Sequence, residues 1–245
     1  MAQIKISDVN IALWDKYNVS FSPHPNVNII VGINGSGKTT LLSEIEKVVN
    51  KKLEDKSLCV YIPSIDNLAV RDGRKKTSAL TQDLDSYIYD MKTGPSLMYY
   101  RMSMLDSPEY TQSRIKARIA NFCDTVNNLF KETGKKIEIE GNKFIINSNG
   151  TILSTNNLSS GEKQVLLILL RVFLLDEKES VVLIDEPENS LDISWQYKLI
   201  DLLVKLNPNT QFFITTHSPS IFSDGWGNCI VYMEDVTTNI EKTTL

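Results

Sequence analysis

Three stretches of this 245-residue chain combine residue types and spacings that could handle phosphate groups. The first is Gly32-Ile33-Asn34-Gly35-Ser36-Gly37-Lys38-Thr39, which satisfies G-x-x-x-x-G-K-[ST]. Glycines let a backbone curl until successive N–H groups face one oxyanion, and a helix starting there adds its dipole. Asn34, Gly35, Ser36, Gly37, Lys38, Thr39 and Thr40 are therefore candidates to cradle a nucleotide's phosphates. Lys38 would reach the β- and γ-phosphates, and the Thr39 hydroxyl would ligate Mg²⁺. A plain glycine-rich turn is the bland alternative, but it does not require the buried strand before the motif and the helix after it.

The second stretch is Val181–Ile184, an apolar strand that ends in Asp185-Glu186. An open α/β sheet binds ligands at the carboxyl ends of its strands, so both carboxylates would enter the ligand crevice. Asp185 can join a Mg²⁺ shell, and Glu186 can polarise an attacking water. A positioned base of this kind contributes about 10²–10⁴ in rate. The third stretch, Leu158-Ser159-Ser160-Gly161-Glu162-Lys163-Gln164, precedes an apolar helix. Ser159 as N-cap with Glu162 three residues on forms a capping box, which explains the stretch locally.

The third stretch lies some 20 residues before the acidic strand, and in that place it resembles the signature motif of ABC-type ATPases. The resemblance covers about Ile4–Asn50 and Leu158–Met233. It implies that Ser159 and the amides of Ser160 and Gly161 contact ATP held by the glycine loop of a second copy. The physics is anion attraction to a helix N-terminus, applied across an interface. Ser190-Leu191-Asp192 resembles the D-loop, and His217, after Gln211–Thr216, resembles the switch histidine that contacts the γ-phosphate. Glu186, His217 and Lys38 are then the catalytic set, Asp192 a binding residue, and ATP and Mg²⁺ the cofactors. Asp-Glu-Pro-Glu-Asn-Ser-Leu-Asp and Thr-Thr-His-Ser-Pro are most similar to soluble RecF-like, SMC-like and OLD-type AAA ATPases, several of which serve anti-phage defence alongside a nuclease. Two features depart from the pattern. Tyr61-Ile62-Pro63-Ser64 lacks the glutamine that usually follows the second strand, and Gln82 lies deep in a helical region. Ser160 and Glu162 replace the commoner Gly and Gln. For adenine, Trp14 and Tyr17 are candidates to stack or simply to pack.

These residues need a scaffold. Val27–Gly32, Ser57–Pro63, Val181–Asp185, Gln211–Thr216 and Cys229–Met233 read as strands, most of them buried on both faces. Helices are expected over Lys38–Val49, Ser160–Leu175 and Ile193–Leu206. Ile4, Ile6, Val19 and Phe21 alternate with polar residues, as in half-covered strands. Ile115, Ile119, Phe122, Val126, Leu129 and Phe130 recur at helical spacing, and Ile137–Asn147 alternates about Gly141-Asn142 as a hairpin does. The expected fold is α/β: a P-loop NTPase of ABC-ATPase head architecture with a mostly parallel central sheet and an antiparallel β subdomain. Residues 1–245 are read as one such domain, with a helical arm inserted at about 77–136.

Composition narrows the function. Net charge is -4, which argues against whole-surface attraction to nucleic acid or anionic lipid. Charge is uneven: Arg101–Lys136 carries seven Lys/Arg against four Asp/Glu, and Arg71, Arg74, Lys75 and Lys76 form a second basic cluster. Such runs are solvated faces or nucleic-acid contacts. Cys59, Cys123 and Cys229 show no metal or redox spacing and suit free thiols. The start MAQIKISDVN has no apolar signal region, and Val165–Leu175 is too short to span a bilayer, so no membrane insertion and a cytoplasmic location are expected. Only His24 and His217 exist, too few for an HNH nuclease cluster, so any cutting would fall to a partner. Two functions remain: an ATP-gated head-to-tail homodimer that drives an effector, nuclease or nucleic-acid partner, or the ATPase subunit of an ABC transporter.

Overall fold

The computed structural model describes residues 4–65, 78–92 and 94–240. The basic cluster Arg71, Arg74, Lys75 and Lys76 lies outside the described residues. The chain divides into two compact units, Met1–Ser64 with Glu177–Leu245, and Ile65–Asp176.

The first unit is built on a five-stranded sheet. It contains β3 (Val27–Val31), β4 (Cys59–Ile62), β8 (Ser180–Asp185), β9 (Thr210–Thr216) and β10 (Ile230–Tyr232), in the order β10-β3-β9-β8-β4. All four pairings are parallel. Strands covered on both faces are largely apolar, and β8 and β9 are buried throughout; their buried polar residues Ser180, Thr210, Gln211, Thr215 and Thr216 are hydrogen-bonded. Helix α1 (Lys38–Lys52) turns Leu41, Leu42, Ile45 and Val49 onto this sheet, the i, i+3/i+4 stripe of an amphipathic helix. Removing one such leucine side chain costs about 2–5 kcal/mol. Helix α6 (Ile193–Leu206) buries Trp195, Leu199, Ile200 and Leu203 in the same way. A second, antiparallel sheet joins β1 (Val9–Leu13), β2 (Tyr17–Phe21) and β11 (Thr237–Asn239).

Three details differ from the expectation. Ile4 and Ile6 are not in a strand. Their neighbourhood is satisfied instead by the Gln211 side chain, which accepts from Ile6 N–H at 2.7 Å and donates to Ile6 C=O at 2.9 Å. One amide side chain thus does the work of a neighbouring strand. Met233 ends the last core strand by starting a short helix, α7 (Met233–Val236). The three-residue strands β7 (Thr151–Leu153) and β11 gave no apolar alternation to find.

The second unit holds α2 (Ala79–Tyr89), α3 (Leu97–Met102), α4 (Glu109–Leu129), the antiparallel sheet β5 (Lys135–Glu140), β6 (Lys143–Ser148) and β7, and α5 (Ser160–Phe173). The hairpin turns at Gly141, whose φ of 55° suits a residue without Cβ. The helices read as an arm share a core with the sheet and α5. Phe122 stacks at 4.8 Å on Phe173, and Ile115, Ile119, Val126, Leu129 and Phe130 are buried as their spacing implied. The C-terminal end of α5 is held from α4. Arg118 donates to Phe173 C=O at 3.1 Å, while Arg114 and Arg118 pair with Asp176 at 2.7 and 3.2 Å. Cations at a helix C-terminus oppose its dipole favourably. No described helix is long and apolar enough to cross a membrane.

Candidate nucleotide site

The glycine loop joins β3 to α1. Gly35 and Gly37 take φ of 82° and 92°, which a side chain would strain. Beside Gly37 a Cβ would also meet the Trp14 indole at 2.9 Å. The buried Lys38 folds back along the loop and donates to Gly32 C=O at 2.9 Å and Ile33 C=O at 3.3 Å. Its Nζ lies 3.4 Å from Glu186 Oε1. Ser36 Oγ is buried with no hydrogen-bond partner among the described residues. An orphaned hydroxyl inside a curl of backbone amides fits a phosphate oxygen. Asn34 is exposed, and Thr40 half-buried, in the first turns of the same segment.

Strand β8 delivers the acids, and β9 a threonine that holds them. Thr39 Oγ1 donates to both Asp185 oxygens, at 2.9 and 3.1 Å, and Thr215 Oγ1 adds 2.7 Å. One hydroxyl and one carboxylate converging this closely fit the inner shell of a hard divalent cation. Tyr61 on β4 faces the same place: burial pushes its phenol up to about 12, and the Asp185 charge adds to the effect. Tyr61 therefore stays neutral at working pH. Glu186 adopts φ 45°, unusual for a residue with a side chain. Its N–H is held by Thr215 C=O and Oγ1, both at 3.1 Å, which keeps the side chain turned toward Lys38.

His217 follows β9, with its side chain half exposed. Its Nδ1 lies 3.3 Å from Glu188 and 3.9 Å from Glu186. Asp192 N-caps α6 by accepting from Ser194 N–H at 2.8 Å. The Ser194 hydroxyl and N–H hold this exposed carboxyl below the usual range. A cleft of about 590 Å³ opens beside the glycine loop, lined among others by Trp14, Tyr17, Ser36 and His217. Trp14 sits in the left-handed region at φ 54° and is 57% exposed. Both aromatic candidates therefore line the cleft beside the loop.

Ser159, Ser160 and Gly161 lie in the second unit. The capping box forms as expected: Ser159 Oγ accepts from Glu162 N–H at 3.2 Å, and Glu162 Oε2 from Ser159 N–H at 2.7 Å. Lys135 donates to the other Glu162 oxygen at 2.8 Å. Burial pushes the Glu162 carboxyl up, but bonds from Lys135, Ser159 and Thr133 outweigh it and hold the group below its ordinary range. Ser159 and Ser160 are exposed, whereas Gly161 is buried. Gln82 sits in α2 of this unit and lines a cleft there. In the first unit Ser64, just beyond β4, accepts from Asn189 Nδ2 at 2.9 Å instead. Four of the seven basic residues of the run have partners: Arg101 bonds Asn142, Arg114 and Arg118 bond Asp176, and Lys135 bonds Glu162.

Sequence reasoning passed over Glu188, Thr215 and Thr216. The two threonines end a strand already read as buried, where a hydroxyl needs an acceptor. Glu188 carried a signal as well, since a third acid stands close behind the pair Asp185-Glu186.

Comparison with known proteins gives the family. Residues 53–223 match the family described as "AAA domain, putative AbiEii toxin, Type IV TA system". The chain belongs to this family. Its AAA domain is an ABC-type P-loop ATPase with relatives in two settings. A "Putative ABC transporter ATP-binding protein" of Clostridium acetobutylicum is 25% identical over 233 residues, 90% of this chain and 72% of that protein. The "Retron Ec83 probable ATPase" of Escherichia coli is 38% identical over 89 residues, 32% of this chain and 16% of that much longer protein. Among solved structures, an SMC head crystallised with the C-winged helix domain of ScpA has the same fold, with a TM-score of 0.55 at 14% identity. That match covers 92% of this chain and 96% of the other.

Proposed function

We propose that this AAA-domain protein binds and hydrolyses ATP, and that ATP draws two copies head to tail to gate a partner effector. The observation that carries the reading is the convergence of these groups in one unit, Thr39 2.9 Å from Asp185 and Lys38 3.4 Å from Glu186. Mg²⁺ held by Thr39 and Asp185 would neutralise phosphate charge as a Lewis acid. The chain's own groups do the rest. The loop amides and Ser36 bind phosphate oxygens. Lys38 leaves its bonds to Gly32 and Ile33 C=O for the β/γ-phosphates. Glu186, freed from Lys38, accepts a proton from water aligned with the γ-phosphorus. His217 contacts the γ-phosphate from the other side. Ser159 and the free amides of α5 from a second copy complete the site.

Two names support a defence setting: the family description includes "putative AbiEii toxin, Type IV TA system", and one relative is named "Retron Ec83 probable ATPase". A nuclease or other effector is the expected partner. Nucleic acid is the lesser expectation, because four of the seven basic residues in Arg101–Lys136 already have partners within the chain. A transporter subunit is the second reading, favoured by the name of the Clostridium relative. Co-purification with a membrane protein would favour it over the first.

Phosphate release tests the core of the proposal. Asp185→Asn should lose Mg²⁺-dependent turnover. Glu186→Gln should keep ATP and run as a dimer on size exclusion. Wild-type turnover by Glu186→Gln would remove Glu186 from its assigned role.

A further inference from the structure

Glu188 is an acid beside the site with no role so far. It is 6% exposed, yet it receives three donors or near-donors on a single oxygen. Thr216 Oγ1 donates to Oε1 at 2.6 Å, and His217 N–H at 2.8 Å. His217 Nδ1 lies 3.3 Å from the same atom. The other oxygen, Oε2, is buried with no hydrogen-bond partner among the described residues. A buried carboxylate left half-satisfied is costly. The two bonds to Oε1 fix that oxygen beside the ring of His217.

We propose that Glu188 is a positioning residue for His217. Oε1 is pinned from two sides by Thr216 and the His217 backbone, so it is a fixed acceptor rather than a mobile one. A proton on Nδ1 directed at it fixes both the ring's orientation and its tautomer. Nε2, which has no partner among the described residues, is left as the working edge. Glu186 is the other carboxylate near Nδ1, but it is farther, at 3.9 Å, and is tethered to Lys38. When Glu186 turns to water during hydrolysis, Glu188 still holds the ring. The proposal rests on the hydrolytic role given to His217 above, and its structural half can be tested without nucleotide.

The test uses the full chain and its short histidine complement. With only His24 and His217 present, two imidazoles appear in a long-range ¹H–¹⁵N spectrum, and His217→Ala assigns them. At about pH 9, above the ordinary imidazole range, nucleotide-free protein should show His217 protonated on Nδ1. Glu188→Met keeps the length of the side chain without an acceptor and should move that proton to Nε2. Glu188→Gln retains an acceptor oxygen and should keep it on Nδ1. In phosphate release, Glu188→Met should lower kcat about 10–100-fold with KM for ATP within about twofold, and Glu188→Gln should restore most of it. In a His217→Ala background, Glu188→Met should add little.

Wild-type His217 protonated on Nε2 would overturn the proposal before any variant is made. So would an unchanged tautomer in folded Glu188→Met, or a full second loss of rate when Glu188→Met is added to His217→Ala. A different result, wild-type turnover by His217→Ala with the Nδ1 signal intact, would leave the contact standing and refute the hydrolytic role of the histidine instead.

Discussion

Replacing Ser159 by glycine separates two explanations of one hydroxyl. Within its own chain, Ser159 Oγ caps α5 through one bond of 3.2 Å, and the reciprocal bond from Ser159 N–H to Glu162 does not depend on the side chain. Glycine is itself an acceptable N-cap, so Ser159→Gly should cost only a few tenths of a kcal/mol, at most about 1 °C in Tm for a chain of this size. If the hydroxyl also meets a γ-phosphate across a dimer, the loss is of another order. A hydrogen bond to a charged group contributes about 1.5–3 kcal/mol, and a symmetric dimer has two, so about 3–6 kcal/mol of association is at stake. That is roughly a 10²–10⁴-fold rise in the dimer Kd. Sedimentation of Glu186→Gln against Glu186→Gln with Ser159→Gly, each with saturating ATP and Mg²⁺, reads this directly. Equal dimerisation by the two proteins would show that Ser159 is a helix cap and nothing more. A monomeric Glu186→Gln would refute the dimer itself.

Trp14→Ala should weaken ATP about 5–150-fold if the exposed indole stacks on the base, since such stacking contributes about 1–3 kcal/mol. Inorganic triphosphate should bind as before, and calorimetry with both ligands decides whether the ring does more than cover Gly37. Glu162 supplies a pH dependence. Its carboxyl is held below the ordinary range in the fold, so the stability it contributes is present above the unfolded value and disappears as pH falls through the lowered one. Thermal melts of wild type and Glu162→Gln should therefore differ at neutral pH and converge in acid. Divergence toward acid would invert the assignment.

Much of the site was legible from the chain because its chemistry is local. Gly35 and Gly37 must be glycine wherever φ is near 90°, and Lys38 and Thr39 follow them by covalent spacing. A carboxylate pair at the end of a fully apolar strand has only one place to go in an open parallel sheet, and Ser159 with Glu162 form their capping box within a single turn. For the same reason the strands β3, β8 and β9 and the helices after them could be read directly: a strand buried on both faces carries a continuous apolar stretch, here Ile29–Val31, Val181–Ile184 and Phe212–Ile214.

Tertiary structure decided what depends on residues distant in sequence. The bond from Thr39 to Asp185 joins residues 146 apart. That between Thr216 and Glu188 spans 28, and periodicity carries no information about either. Gln211 standing in for a strand beside Ile6 could not be read from two alternating isoleucines, because a side-chain amide can satisfy a backbone as well as another strand does. The basic run Arg101–Lys136 looked like a surface by composition. Only the fold, by bringing Asp176 and Glu162 to meet it, turned much of that charge toward the chain itself. Backbone conformation and short-range capping are written in neighbouring residues, whereas the pairing of buried polar groups is settled by which strands and helices come to lie side by side.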